Sequence, residues 1–495
     1  MIKFPFLLSI SIFIGINTHA QYNYPFTKTV DSSDTYFGIT HKDPYRWLEN
    51  LKDSNVISWF KAQQKFTDST LTNSKGENEL LKKLNNYTTS ETWGRAPAYK
   101  SATRYYYSKW NRNLLEANLY YKDLKDTTEH LIFKAWNINP GIRYNVEAFL
   151  FSPDEKYFAV AFDKNGEEYP FIKVYDINNK KWLTDSIPHC WSNTVNWTAD
   201  SKGFIYGYTT GDRNAPNATE NDIVKYHFLH TNYMADKMIM NDQIRNRVEK
   251  KISNTYYAAV YINKSTKRIY CQPNQGFEHE FGNVFYINKE ELLSAVKYWK
   301  QLYATTDSVL TVTETGNGYY FISAKGKGFN SLRYTSFINP DFSHAKIILP
   351  EDTTWQLENT SETKSYLLVN YSKYGFLNKT VFIHKQSGRQ INVTAIAGYD
   401  RYNITPIGNK TDECIFYRQS ANKPYWCFLL NIANNKLIDD AFWAPHAQTF
   451  VPGSDNIITE LIEVPSFDGT LVPMSIMRDK NIKLDGNNIC IMYGY

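Results

Sequence analysis

A repeat of about 50 residues constrains the fold of this chain more than any other feature of its sequence. Between residues 96 and 450, short apolar and aromatic runs alternate with turns rich in glycine, asparagine and lysine. The strongest runs begin at Tyr105, Tyr157, Phe204, Arg268, Tyr319, Tyr366 and Ile415. Their successive separations are 52, 47, 64, 51, 47 and 49 residues. A repeat of this length, with several short strands in each unit, is typical of a β-propeller blade, so the runs predict a seven-bladed propeller.

A phrase shared by two of the units supports the repeat. Residues 151–154 (Phe-Ser-Pro-Asp) and 197–200 (Trp-Thr-Ala-Asp) lie 46 residues apart, and each comes just before a predicted strand. The separation of 64 residues leaves room for an insertion, which we expect at the polar stretch 211–222. Two β-sandwich domains would also show short strands and frequent turns, but regular spacing over seven units favours the propeller.

The region before the repeat has a helical pattern. We expect Ser54 to cap a helix that places Val56 and Trp59 on one face. A second helix should carry the leucines between residues 80 and 84. Neither helix could bury its apolar face alone, so both need a partner surface.

The region after Pro452 changes in character again. Two strands, 457–464 and 470–477, are predicted around the turn pair Asp468-Gly469. The continuous apolar run 489–493 predicts a strand buried on both faces of a parallel-type sheet. We therefore expect an α/β domain that begins with the helices, is interrupted by the propeller and restarts at residue 452.

The N-terminus predicts export. Lys3 precedes an apolar stretch over residues 4–16, and small residues at Thr18 and Ala20 flank a cleavage position before Gln21. This is the pattern of a secretory signal peptide, because the apolar run is too short to cross a bilayer. We expect an exported protein, periplasmic or secreted, with no membrane attachment after cleavage.

Charge and ligand-forming residues argue against several classes of function. A net charge of +5 without a basic stripe predicts no nucleic acid partner. His227 and His230 should point to opposite faces of a strand, and no carboxylate or thiol cluster accompanies them, so we expect no metal. No glycine-rich phosphate loop is present, and we expect no cofactor. The five scattered cysteines suggest buried thiols, although one bridge between Cys414 and Cys427 is left open.

The sequence also lacks a nucleophile motif. A covalent hydrolase built on an α/β sheet needs a G-x-S-x-G turn, which holds the serine in a bend between strand and helix. No five-residue segment of the 495-residue sequence matches that motif. The acid and base of such an enzyme follow the serine in the chain, so we expect all three residues to be absent here.

Several short phrases resemble the prolyl oligopeptidase family, over residues 24–495 of this chain. The first of them is Asp-Pro-Tyr-Arg-Trp-Leu-Glu at 43–49, followed by a helix with Trp59 and Gln63. The phrase Tyr-His-Phe-Leu-His-Thr at 226–231 is similar to one that ends a blade in that family. The most specific phrases follow the propeller, at 465–470 (Pro-Ser-Phe-Asp-Gly-Thr), 472–474 (Val-Pro-Met), 482–486 (Ile-Lys-Leu-Asp-Gly) and 493–495 (Tyr-Gly-Tyr).

The resemblance implies a serine peptidase that cleaves short peptides after proline. In this family a seven-bladed propeller covers the active site of an α/β-hydrolase domain and keeps folded proteins out. The implied partners are short proline-containing peptides, and the complete protein is expected to be a monomer. Tyr495 matches the tyrosine whose hydroxyl stabilises the oxyanion of the tetrahedral intermediate. Because the nucleophile, acid and base are expected to be absent, this chain alone should be inactive.

The predicted fold class is therefore mainly β, a seven-bladed propeller inserted in an incomplete α/β-hydrolase domain. We expect a signal peptide at 1–20, a helical part of the hydrolase domain at 21–92, the propeller at 93–451 and the restart of the hydrolase domain at 452–495. A stand-alone exported propeller that binds peptides is one alternative. A fragment similar to oligopeptidase B, which cleaves after basic residues, is another, although the phrase at 482–486 favours the prolyl enzyme.

Overall fold

A computed structural model describes most of the chain as two compact units. The first unit comprises residues 1–85 with 214–216, and the second comprises 86–213 with 217–495. The described residues are 22–72, 74, 76–88, 93–111, 116–134, 144–164, 166, 170–209, 222–241, 243–244, 257–262, 268–275, 281–294, 298–326, 328–375, 377–392, 401–420, 423–434, 436–438, 440–443 and 454–494. Among the helices of these residues, none is long and apolar enough to cross a membrane.

The first unit contains a hairpin followed by helices. Its elements are β1 (Ser33–Tyr36), β2 (Ile39–Lys42), a 3-10 helix (Arg46–Glu49), α1 (Ser54–Thr72) and α2 (Glu77–Thr88). Phe37 and Gly38 both have positive φ, which the tight two-residue turn between β1 and β2 requires. Both predicted helices are present.

Tryptophans fix α1 within the first unit. Trp59 Nε1 donates to Thr27 Oγ1 at 2.9 Å, and Trp47 Nε1 donates to the Lys28 carbonyl oxygen at 2.9 Å. The two indoles meet edge to face. The predicted cap is wrong by one residue: the Asp53 carboxylate, not the Ser54 hydroxyl, accepts from the backbone N–H of Asn55, because the cap is the residue just before the first helical turn.

The second unit is a seven-bladed propeller of four-stranded antiparallel sheets. Blade 1 (93–134) and blade 2 (144–187) contain β3 (Trp93–Lys100), β4 (Arg104–Asn111), β5 (Glu116–Asp123), β6 (His130–Lys134), β7 (Tyr144–Phe151), β8 (Tyr157–Lys164), β9 (Phe171–Asp176) and β10 (Lys181–Ile187). Blade 3 (190–240) and blade 4 (257–303) contain β11 (Cys190–Trp197), β12 (Gly203–Tyr208), β13 (Ile223–Phe228), β14 (Lys237–Met240), β15 (Tyr257–Ile262), β16 (Arg268–Gln275), β17 (Val284–Asn288) and β18 (Lys300–Tyr303).

The remaining three blades follow without a break in the pattern. Blade 5 (309–349), blade 6 (356–392) and blade 7 (401–438) contain β19 (Val309–Thr315), β20 (Gly318–Ser323), β21 (Ser331–Ser336), β22 (Lys346–Leu349), β23 (Gln356–Glu362), β24 (Tyr366–Lys373), β25 (Leu377–His384), β26 (Gln390–Asn392), β27 (Arg401–Pro406), β28 (Glu413–Ser420), β29 (Lys423–Asn431) and β30 (Lys436–Ile438). Short 3-10 turns lie at Tyr233–Ala235, Lys289–Glu291, Thr305–Asp307 and Ser454–Asn456, and a short helix at Asp440–Trp443.

The repeat read from the sequence is confirmed. Each of the seven residues that begin the predicted runs lies on the second strand of its blade. The predicted insertion at 211–222 falls almost entirely outside the described residues. The shared phrase also has a structural role: Ser152 Oγ and Thr198 Oγ1 each lie 2.7 Å from the aspartate two residues later, in the turn between the first and second strands.

The apolar core is divided among the junctions between blades. Phe158 of blade 2 packs with Tyr106 and Phe133 of blade 1 in one cluster. A separate cluster joins blades 4 and 5 through Tyr270 and Tyr319. Large flat rings suit these junctions, since they fill the space between two twisted sheets. The chain contains 38 tyrosines, and several of them lie at these junctions.

The ring closes through side chains. Among the described strands, blades 1 and 7 share none, since each is built from four consecutive strands. Instead, the Glu413 carboxylate of blade 7 accepts hydrogen bonds from Lys100 and Tyr105 of blade 1. The cluster beneath these contacts comprises residues of blades 1, 6 and 7 and the short helix, including Tyr107, Phe416, Phe428 and Trp443.

The segment after the propeller contains the predicted hairpin and lacks the predicted strand. β31 (Ile457–Pro465) pairs with β32 (Leu471–Asp479) around Asp468-Gly469. Residues 489–493 form no strand, and Ile489 is 98% exposed. A strand buried on both faces needs neighbouring strands, and within the described residues none pairs with this run.

Candidate functional site

The residue assigned to oxyanion stabilisation, Tyr495, lies outside the described residues. Its role therefore stays a prediction. The part of a functional site that the structure describes is a pair of cavities lined in part by the first strands of the blades, which in a propeller surround a central channel.

The first strand of each blade lies at one edge of its sheet. First strands of neighbouring blades contact one another, as in blades 2 and 3 and in blades 5 and 6. Between blades 5 and 6, the hydroxyl of Thr313 lies 2.7 Å from that of Thr360. In six of the seven blades the first strand carries a register shift against the second, at residues 98, 147, 258, 310 and 358 and between Cys190 and Val195. A bulge bends a strand and increases its twist, so this repeated shift curves the strands that border the channel.

The two ends of the propeller are distinguished by the turns that lie there. At the first-turn end lie the turns between first and second strands, such as 363–365. At the second-turn end lie the turns between second and third strands, such as the one that contains Tyr374 and Gly375. Tyr374 in one of these turns donates to Glu463 Oε1 of β31 at 2.8 Å. The hairpin that follows the propeller is therefore held at the second-turn end.

A polar cavity of about 300 Å³ opens at the second-turn end, between blades 6 and 7. Four asparagines lie in its wall, and Asn370 Nδ2 donates to Asn359 Oδ1 at 2.8 Å. Thr380 donates in turn to Asn370 Oδ1 at 2.7 Å. The lining residues are Glu358, Asn359, Asn370, Tyr371, Gly375, Asn378, Lys379, Thr380, Tyr402 and Asn403. Such a wall offers donors and acceptors of the kind that pair with peptide groups.

A second cavity, which we call the Glu314 cavity, opens at the first-turn end and reaches between blades 4 and 5. Its volume is about 390 Å³. It is lined by Tyr261, Ile262, Tyr270, Leu302, Val312, Thr313, Glu314, Tyr319, Glu362 and Asn409. Its wall is mainly aromatic and aliphatic, with one buried carboxylate at Glu314. Sequence reasoning missed it because its residues come from four blades.

His227 has a structural environment that the sequence did not reveal. Its ring is fully buried, with Nε2 2.9 Å from Asp185 Oδ1 of blade 2 and Nδ1 2.9 Å from Asp236 Oδ1. Burial lowers the pKa of His227, but hydrogen bonds to the two carboxylates outweigh it and raise that pKa to about 9. The imidazolium thus links blade 2 to blade 3 through its contacts with Asp185 and Asp236. Within the described part of the chain, no group of histidine, cysteine and acidic residues could hold a metal ion.

The cysteines described by the structure are free thiols. Cys414 and Cys427 lie on adjacent strands, but their partners in register are Leu430 and Tyr417. The two thiols are therefore offset along the hairpin, and the bridge left open by the sequence does not form. Burial raises the pKa of Cys427 to about 12, so this thiol is a poor nucleophile.

Comparison with known proteins identifies the family. The family model described as prolyl oligopeptidase, N-terminal beta-propeller domain, matches residues 24–438. The prolyl endopeptidase of Elizabethkingia meningoseptica is 25% identical over 95% of this chain and 64% of its own length. Prolyl oligopeptidase A of Galerina marginata is 25% identical over 95% of this chain and 66% of its own length.

Solved structures share the fold. Prolyl oligopeptidase B from Galerina marginata, bound to a 25-residue macrocyclization substrate, aligns with a TM-score of 0.77 at 19% identity, over 94% of this chain and 66% of that one. The chain thus spans about two thirds of the length of the relatives it matches. The match over residues 24–438 covers most of the chain, and the chain belongs to the prolyl oligopeptidase family.

Proposed function

We propose that this chain is the N-terminal portion of a serine endopeptidase that cleaves short peptides after proline. The observation that carries the proposal is the family match over residues 24–438. Relatives named prolyl endopeptidase and prolyl oligopeptidase, at 25% identity, support the reaction.

The propeller acts as a size filter in this proposal. Its ring is closed between blades 7 and 1 by Glu413, so the channel does not widen freely. Tyr374 holds β31 at the second-turn end, where we place the rest of an α/β-hydrolase domain. A substrate must then reach that domain through a confined space, which admits flexible peptides and excludes folded proteins.

The catalytic step needs residues that this sequence does not supply. Tyr495 donates its hydroxyl proton in a hydrogen bond to the oxyanion of the tetrahedral intermediate. The 495 residues contain no G-x-S-x-G turn, so a polypeptide of these residues alone binds peptides without cleaving them. The mature protein is exported, is a monomer when complete, and requires no metal or other cofactor.

The test uses the product of the complete gene and two peptides that differ only in proline or alanine before the scissile bond. We expect cleavage of the proline peptide and at least a hundredfold slower cleavage of the alanine peptide. A folded protein with an exposed proline loop serves as the size control and should stay intact. Equal rates on both peptides, or cleavage of the folded protein, would contradict the proposal.

A polypeptide of residues 21–495 is assayed in parallel. It should not react with a serine-directed phosphonate probe and should leave both peptides intact. Labelling of this polypeptide would show that a nucleophile lies within these residues.

A further inference from the structure

The polar cavity between blades 6 and 7 lies at the end of the propeller where the chain enters and leaves it. The four strands of each blade are antiparallel, so a first strand begins and a fourth strand ends at the second-turn end. The chain enters at β3 of blade 1 and leaves after β30 of blade 7. Tyr374, next to Gly375 of the cavity wall, also donates to Glu463 of β31 at this end. A ligand in the cavity would therefore lie on the same side of the propeller as β31.

A bulge in β23 shapes the wall of this cavity. Leu357 pairs with Tyr371 and Asn359 pairs with Asn370, which leaves Glu358 as an extra residue between the two pairs. Successive residues of a regular strand point to opposite faces, whereas a bulge breaks this alternation. Glu358 and Asn359 are both exposed, and both line the cavity. The bulge thus presents two consecutive polar side chains to the same space.

Hydrogen bonds order the centre of the wall before a ligand arrives. Thr380, which is 2% exposed, donates from Oγ1 to Asn370 Oδ1 at 2.7 Å, and Asn370 Nδ2 donates to Asn359 Oδ1 at 2.8 Å. The backbone N–H of Thr380 donates to the Tyr402 hydroxyl of blade 7 at 3.0 Å. Within the described residues, Asn359 Nδ2 has no partner, so its two N–H donors are available. A wall that is already ordered loses less side-chain entropy when a ligand binds.

Two further amides of the wall are available to a ligand. Asn378 lies near the start of the third strand of blade 6, and Asn403 lies on the first strand of blade 7. In the part of the chain that the structure describes, no residue hydrogen-bonds either side-chain amide. Each amide offers a carbonyl oxygen as acceptor and two N–H donors. Together with Asn359, they give the cavity neutral donors and acceptors from two blades.

The charged residues of the wall already have partners. Lys379 Nζ lies 2.9 Å from Asp352 Oδ2 and sits over the ring of Tyr371, 4.5 Å from the ring centre. Glu358 accepts a hydrogen bond from the Ser372 hydroxyl. The hydrogen-bonding capacity that remains on the asparagines is neutral. An uncharged ligand that carries both a donor and an acceptor therefore suits the cavity best.

The peptide group is a ligand of this kind, because it carries one N–H donor, one C=O acceptor and no charge. We propose that the polar cavity binds main-chain amide groups of a substrate peptide, at positions away from the cleaved bond. The proposal takes its ligand, a peptide, from the proposed function. Main-chain recognition does not depend on side chains, so the site strengthens binding as a peptide becomes longer, whatever its sequence.

The test measures binding of the complete gene product to acetyl-Gly-Ser-Gly-Ser-Gly-Ser-amide by calorimetry. This peptide is uncharged and contains neither proline nor alanine, so the proposed peptidase leaves it intact. The control peptide carries sarcosine in place of each glycine, which replaces the N–H donors by methyl groups. We expect the control to bind at least tenfold more weakly, and a peptide with threonine in place of each serine to bind within threefold of the first. Equal binding of the glycine and sarcosine peptides, a larger difference between the serine and threonine peptides, or no binding at all would overturn the proposal.

Variants localise the binding to the cavity. Asn378→Ala and Asn403→Ala remove amides that bond no described residue, so neither should unfold the protein. We expect each to weaken binding of the serine peptide at least threefold, and the double variant at least tenfold. Asn178→Ala, at an exposed position of blade 2 outside the cavity, is the matched control and should change the affinity less than twofold. Unchanged affinity in the double variant, or an equal loss in the control, would overturn the assignment, whereas failure of proline cleavage with this binding intact would contradict the proposed function alone.

Discussion

Glu413 on the second strand of blade 7 accepts a hydrogen bond from the hydroxyl of Tyr105 on the second strand of blade 1, at 2.8 Å. The same carboxylate pairs with Lys100. These contacts join the first and last blades of the propeller, and Tyr105 and Glu413 are 308 residues apart in the chain. Because the described strands of blades 1 and 7 form separate sheets, side chains hold the ring closed at this junction.

Loss of the Glu413 carboxylate should weaken the ring. Glu413→Ala removes the carboxylate that accepts from Lys100 and from the buried Tyr105, and we expect it to lower the free energy of unfolding by about 2–4 kcal/mol. Glu358→Ala, on an exposed acid of blade 6, is the matched control and should cost less than about 1 kcal/mol. Chemical denaturation measures both, and equal midpoints would contradict the closing role of Glu413.

The His227 cluster should make stability fall in alkaline solution. The pKa of His227 is raised from 6.5 in the unfolded chain to about 9 in the folded one, so its stabilisation is fully present below pH 6.5 and is lost as pH rises through 9. The groups that face it are Asp185, Asp236 and the hydroxyl of Tyr206 bonded to Asp236.

The expected loss between pH 6.5 and 9.5 is roughly 3 kcal/mol, measured as the free energy of unfolding against pH. His227→Asn removes the titrating group, so its stability curve should be flatter over this range even though the variant is less stable at every pH. Parallel curves for the two proteins would show that another group is responsible.

Glycine is required at Gly318, where blade 5 begins its second strand. A Cβ there would collide with the Thr335 carbonyl oxygen and lie 2.7 Å from the Tyr334 hydroxyl. Gly318→Ala should therefore destabilise the protein by about 1–3 kcal/mol in denaturant unfolding. Gly316→Ala, where a Cβ meets nothing within 4 Å, is the control and should be nearly neutral. If Gly318→Ala left the free energy of unfolding unchanged, β20 and β21 would have to move apart at little energetic cost.

Thiol accessibility should divide the cysteines into two groups. Cys490 is exposed, and the other four are buried. In the polypeptide of residues 21–495, one thiol should react rapidly with a disulfide reagent, and all five should react in denaturant without reductant. A mass lower by two hydrogens, with only three reactive thiols in denaturant, would reveal a disulfide and contradict this structure.

Removal of the Tyr495 hydroxyl should slow the proposed reaction. Tyr495→Phe in the complete gene product should lower kcat on the proline peptide by about 100- to 1,000-fold, the usual effect of losing one oxyanion donor. KM should change little, because the hydroxyl acts on the tetrahedral intermediate and not on the bound substrate. Tyr493→Phe serves as a neighbouring control. A larger change in KM than in kcat would argue against the oxyanion role.

The second strand of each blade could be predicted from the sequence because its pattern is local. Alternating apolar residues and turn residues set strand length within a few positions, and Tyr157 and Tyr366 each begin a strand as predicted. The run 489–493 shows the limit of this reasoning. An apolar pattern specifies what a strand would bury, but the strand forms only where a neighbour pairs its backbone.

The candidate sites depend on contacts between distant residues. His227 and Asp185 are 42 residues apart, and Glu314 meets residues of three other blades in its cavity. No local pattern marks such a pair, because each residue alone resembles an ordinary polar position on a strand.

The sequence by itself determined seven β units, their spacing and the family to which the chain belongs. The seven units and their spacing follow from hydrophobic period and turn chemistry, which act over a few residues, and the family follows from short phrases such as the one at 465–470. Only the tertiary structure decided that Glu413 closes the ring, that two aspartates hold His227 as a cation, and that Glu314 faces a cavity lined by tyrosines. These features arise when blades pack together, since burial and the field of neighbouring charges depend on distances that the order of residues does not contain.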